Sequence, residues 1–100
     1  MVIKFTVILE PEAEGGYSVH CPALPGCSRQ GDILEEALDN IEEAMLGVLK
    51  VIQQAGVPVR KETAELVSEE IRQVLADRAE DGLPLIIETR EVEVPAEVAV

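Results

Sequence analysis

The chain opens on alternation. Ile3, Phe5, Val7 and Leu9 share one face of a strand predicted over Val2 to Glu10, with Val2, Lys4, Thr6, Ile8 and Glu10 on the other. The second face is only half polar, as expected of a strand flanked by neighbours and partly covered on both sides. Pro11 to Gly16 (PEAEGG) is turn chemistry, the glycine pair supplying positive φ. Tyr17, Val19 and Cys21 then alternate with Ser18 and His20, which predicts a second strand over Gly16 to Cys21. Pro22 to Gly26 (PALPG) interrupts it, because proline has no backbone donor, and Cys27 to Gln30 reads as a short third strand.

The period then changes from two to 3.6. Leu34, Leu38, Ile41, Met45, Val48 and Ile52 form one apolar stripe along a long helix that ends at Gly56 and Pro58. Asp32 with Glu35 fits a capping box at its start. A second helix is predicted over Arg60 to Asp81, with Thr63 as N-cap and Gly82 as terminator. Its apolar face (Ala64, Val67, Ile71, Val74, Leu75) is narrower, so it belongs on the outside of the unit or against another subunit. A last strand is predicted over Leu85 to Val94, ended by Pro95 and followed by a frayed tail. A helical crossover permits this strand to lie parallel to its neighbour.

These elements describe one α+β domain over residues 1–100, in the order β-β-β-α-α-β. It comprises a β-β-β-α core over 1–56, an added helix over 60–82 and a strand over 85–94. An antiparallel three-stranded meander carries the long helix, and the fourth strand returns to the sheet.

Charge constrains the possible partners more than composition does. Twenty acidic residues against eight basic ones give a net charge of −12, with the basic residues scattered. Duplex DNA is bound through phosphate neutralisation, and single strands through stacking; with two aromatic residues in all, direct nucleic-acid binding is not expected. A basic protein partner is the more natural expectation. The N-terminus lacks a signal-peptide pattern and no apolar run would span a bilayer, so a soluble cytoplasmic protein with no membrane association is expected.

No catalytic set stands out. A two-metal nuclease site needs carboxylates converging from strands and a helix, yet the first strand offers only Glu10 at its end. His20 and Cys21 point to opposite faces of a strand, and the Cys21–Cys27 spacing fits no common zinc pattern. Buried cysteines and an exposed histidine are expected, with no metal, no cofactor and no enzymatic activity. PALPG reads as a rigid link between strands or as a loop seated in a partner. Glu35, Glu36, Asp39, Glu42 and Glu43 crowd the first half of the long helix, off its apolar stripe. An ordinary solvated face and a surface for a basic partner both account for them.

Tyr17, Pro22, Leu24, Pro25, Gly26, Cys27, Gly31, Asp32, Leu34, Glu36 and Ala37 stand in the order and spacing of a family motif: an aromatic on the second strand, P-x-[LF]-P-G-C, G-D-[TS] and L-x-E-A. On these residues the chain resembles the HicB antitoxin family over roughly residues 1–56. The resemblance implies a partial RNase H-like core. It also implies neutralisation of a small basic HicA-type ribonuclease toxin by masking its RNA-binding surface, which an acidic surface such as that helix face would help. It departs in two ways. Ile33 stands where the family has a hydroxyl residue, so Asp32 must cap the helix. Residues 57–84 hold one acidic helix where full antitoxins often carry a DNA-binding domain. A homo-oligomer, dimer or tetramer, is expected from the second helix and last strand. The alternative is a stand-alone homo-oligomeric domain of regulatory role with no toxin partner.

Overall fold

The computed structural model describes residues 2–59 and 61–95. Strand β1 (Val2–Pro11) turns through the glycine pair into β2 (Tyr17–His20), and the proline loop leads into β3 (Ser28–Gly31). Helices α1 (Leu34–Gln54) and α2 (Ala64–Glu80) follow, and β4 (Glu88–Pro95) closes the order. The sheet runs β3-β2-β1-β4 and is antiparallel throughout, so β1 is flanked on both sides as its two-faced pattern implied.

The two helices cover opposite faces. Phe5, Val7, Leu9 and Val19, with Val92 and Val94 of β4, pack against Ala37, Ile41, Ala44, Met45 and Leu49 of α1. Each fully buried aliphatic side chain there contributes about 1.5–3 kcal/mol relative to an exposed one. The alternate residues of β1 and β2 meet α2 instead. Ile8 is fully buried, Thr6 binds Glu62 in the segment leading into α2, His20 contacts Glu70, and Glu10 contacts Arg78. These contacts run from Glu62 to Arg78 as β1 runs from Thr6 to Glu10, so α2 lies along β1 in the same direction. Its apolar face is therefore occupied by its own sheet: Val74 is buried, and Val67, Ile71 and Leu75 are partly so.

That course corrects the expected direction of the last strand. One helical crossover would return β4 parallel to its neighbour, but two helices reverse the chain twice, and β4 returns antiparallel to β1. Its start is also later than expected. Leu85, Ile86 and Ile87 precede the ladder, whose last pair is Leu9 with Glu88; the register would set Ile86 opposite Pro11, which has no N–H and whose carbonyl accepts from Arg78. The expected tail, residues 96–100, and Arg60 at the expected helix start lie outside the described residues. Helix α2 begins at Ala64, where Thr63 caps it by accepting from the Leu66 N–H at 3.1 Å, and it stops before Gly82 at φ 70°.

The start of α1 differs as well. The N-cap position is Ile33, in extended conformation (φ −131°, ψ 165°), and it offers no side-chain acceptor. Asp32 does not substitute; its own N–H instead donates to Glu36 Oε1 at 3.2 Å. Side-chain capping acts from the N-cap residue itself, whose oxygen reaches the N–H two or three positions on. Ile33→Thr, at a 57% exposed position, is therefore expected to stabilise the fold by about 1 kcal/mol. That corresponds to a rise of about 4–8 °C in Tm, measurable by thermal denaturation.

Candidate functional site

The five carboxylates singled out in the sequence all lie on α1. At 100° per residue, Glu35, Glu36, Asp39, Glu42 and Glu43 fall within an arc of about 120°, roughly opposite the buried stripe. All five are exposed, so a rigid helix, anchored by its underside, presents them to solvent. Glu36 also accepts from the Asp32 N–H, which ties this face to the start of the helix. Among the described residues no three His, Cys, Asp or Glu side chains gather as a metal site.

The motif residues are arranged as a brace behind this face. Cys21 N–H donates to Cys27 O, Leu24 N–H to Cys21 O and Cys27 N–H to Leu24 O, all at 3.0–3.1 Å. Gly26 adopts φ 82°, a conformation that side chains resist. The loop turns Ala23 and Leu24 into the core, leaves Pro22 half-buried and exposes Pro25. Tyr17 pairs with Gly31 at the far end of the ladder. A Cβ on Gly31 would lie 2.3 Å from Ala37 N, so α1 rests directly on β3 there. Asn40 closes the same corner by donating to Gln30 O at 2.8 Å.

Both cysteines are buried free thiols, opposite each other just beyond the end of the β2–β3 ladder. Burial pushes Cys21 up to about 11 and raises Cys27 as well, so both stay protonated at neutral pH, poor as nucleophiles or ligands. His20 differs from the exposed histidine expected. It is half-buried under α2, with Nε2 3.0 Å from Glu70 Oε1.

Two further residues, neither singled out in the sequence, hold α2 and its lead-in segment on the opposite face of the sheet. Glu62 accepts from Thr6 N–H (2.7 Å) and from its hydroxyl (2.9 Å). The register would place Pro22, which has no place in the ladder, opposite Thr6, so the carboxylate occupies the vacated hydrogen-bonding position. Arg78 is only 4% exposed and donates to Pro84 O (2.7 Å), Glu10 Oε1 (3.3 Å) and Pro11 O (3.4 Å), fastening the end of α2 to the end of β1. It continues the α2 stripe four residues after Val74, which was its signal in the sequence; Glu62 had none.

Residues 5–80 match the family described as HicB-like antitoxin of bacterial toxin–antitoxin systems. The UPF0150 protein ssr1765 of Synechocystis is 44% identical over 61 residues, 61% of this chain and 77% of that protein. The protein named Antitoxin HicB 1 of Photorhabdus laumondii is 43% identical over 44 residues, which cover 44% of this chain and 28% of that protein. The crystal structure of the Burkholderia pseudomallei antitoxin HicB shares the fold, with a TM-score of 0.67 at 18% identity over 98% of this chain and 67% of that one. A HicA3 and HicB3 toxin–antitoxin complex matches at TM-score 0.60 and 17% identity, over 93% of this chain and 99% of that one.

Proposed function

We propose a toxin-neutralising role for this chain, which belongs to the HicB-like antitoxin family of bacterial toxin–antitoxin systems. Its partner in this reading is a small basic ribonuclease of the HicA type, bound so that the toxin's RNA-binding surface is masked. The observation that carries it is the α1 face, where five exposed carboxylates stand on a helix fixed to the sheet. A toxin that binds RNA must present cationic groups to phosphates, and a prearranged acidic surface competes for those groups. The chain works by occlusion, without catalysis, cofactor or direct nucleic-acid contact. It acts in the cytoplasm as a homo-oligomer, although a charge of −12 on each copy opposes that association.

Removing three of the carboxylates together tests the surface. Glu35→Gln, Asp39→Asn and Glu43→Gln in one chain leave the buried side of α1 untouched. Exposed ion pairs are worth about 0.2–1 kcal/mol each, so the triple variant is expected to bind a HicA-type toxin about 3- to 100-fold more weakly at low salt. It should also show a shallower salt dependence in titration calorimetry. Wild-type affinity and salt dependence retained in the triple variant would place the interface elsewhere.

A further inference from the structure

We propose that two copies of this chain associate through the open edge of β4, in a two-fold antiparallel pair centred on Thr89, making one sheet across both copies. This rests on the self-association in the reading above and names the surface that produces it.

Hydrogen-bonding direction along the sheet shows which edge of β4 is open. Cys21 N–H bonds to Cys27 O, so the odd residues of β2 face β3 and the even ones face β1. Carried through the register, Ile8 and Glu10 face β2, while Phe5, Val7 and Leu9 face β4. Glu88, Arg90 and Val92 therefore bond to β1, and Thr89, Glu91 and Glu93 turn their N–H and C=O groups outward. Strand β3, the other edge, is four residues long and its Gln30 and Ser28 carbonyls accept from Asn40 and Arg29 side chains. The β4 edge is twice that length, and among its described residues one outward carbonyl, that of Thr89, accepts from a side chain, Arg90, a contact that pairing would displace. An edge of this kind is a template for another strand.

Charge selects both occupant and register. A two-fold antiparallel pair must place one residue opposite its own copy. Centring on Glu88, Arg90 or Glu91 sets like charges face to face, which is unfavourable. Centring on Thr89 places Glu88 opposite the second copy's Arg90, twice over. These two side chains already approach within 3.3 Å inside one chain, so the pair closes a ring of four alternating charges.

The same register places exposed apolar residues. Leu85 and Ile86 are 59% and 61% exposed: the ladder stops at Glu88, the register would set Ile86 against Pro11, which has no N–H to donate, and Leu85 falls beyond the end of β1. Across the Thr89 axis Ile86 lies against Val92 on the α1 face. Ile87 falls opposite Glu91 on the α2 face, at a hollow of about 490 Å³ lined by Thr6, Val67, Ile71, Thr89, Arg90 and Glu91. The apolar run Leu85 to Ile87 thereby gains the strand partner that its own β1 does not provide.

Sedimentation and crosslinking test this on the full chain. Wild type is expected to dimerise on the order of tens of micromolar, the range of ordinary weak interfaces. Arg90→Glu, at an exposed position, should weaken the dimer about tenfold or more, since it converts two attractive cross-strand pairs into repulsive ones. Adding Glu88→Arg to that variant reverses both charges and should restore it. Thr89→Cys should form an intermolecular disulfide on mild oxidation, because hydrogen-bonded partners have Cα atoms about 5.5 Å apart. The native thiols are buried and stay out of this reaction. A monomeric wild type overturns both the self-association and this surface. A wild-type dimer indifferent to Arg90→Glu, or a Thr89→Cys chain that does not crosslink, overturns the β4 surface alone and leaves self-association standing.

Discussion

Gly31→Ala is expected to destabilise the fold by about 3 kcal/mol, the upper end of what overpacking costs, lowering Tm by about 10–20 °C. The added Cβ would stand 2.3 Å from Ala37 N, 2.7 Å from Ala37 Cα and 2.9 Å from the Glu36 carbonyl carbon. All three are backbone atoms of the first turns of α1, and no side-chain rotation relieves the collision. Either the helix start lifts from the sheet or the last pair of the β2–β3 ladder, Tyr17 with Gly31, opens. Gly47→Ala is the control within the same helix. Nothing lies within 4 Å of a Cβ there, and a mid-helix glycine costs roughly 0.5–1 kcal/mol, so that change should stabilise. Urea or thermal denaturation of both variants decides it; a Gly31→Ala chain as stable as wild type would refute the close approach.

Arg78→Ala should cost about 2–4 kcal/mol and act selectively on α2. The substitution leaves Pro84 O and Pro11 O without this donor and the Glu10 carboxylate without its cation. Breaking a buried pair from one side costs about 3–5 kcal/mol, but Glu10 is 25% exposed and solvent screens part of the loss. Hydrogen exchange is the discriminating measurement. Amides of α2 should exchange much faster, while those of α1 and the inner strands keep most of their protection. Arg78→Lys keeps the charge but cannot reproduce the donor fork, so it should fall between. Uniform loss of protection across the chain would show that α2 is not a separable cover.

Much of this architecture was legible because periodicity is a local property. The alternation in β1 and the 3.6-residue stripe of α1 each follow from burial of one face, and Thr63 caps α2 through its own backbone neighbours. The misreadings share a non-local cause. Leu85 to Ile87 are strand-like in composition, yet a strand needs a partner, and the residue opposite Ile86 is Pro11, which has no N–H to donate and gives its carbonyl to Arg78. The direction of β4 depended on α2 crossing to the second face, which its charged surface obscured. Asp32 looked like a cap, but capping is decided by which residue takes the extended N-cap conformation, and that residue is Ile33. Glu62 serves a backbone N–H 56 residues away and left no trace in its surroundings. His20 is covered by the same helix that was placed too loosely.

The acidic face was fully legible, since five carboxylates at helical spacing outside an apolar stripe must lie in solvent. Their partner is a different matter, because a solvated helix face and a toxin-binding surface have the same sequence. The deciding measurement is complex formation between the purified chain and a HicA-type ribonuclease encoded beside it, at physiological salt, with RNA cleavage followed in parallel. A stable complex in which cleavage stops is the result this account predicts. A toxin that remains unbound and fully active in excess of this chain would contradict it.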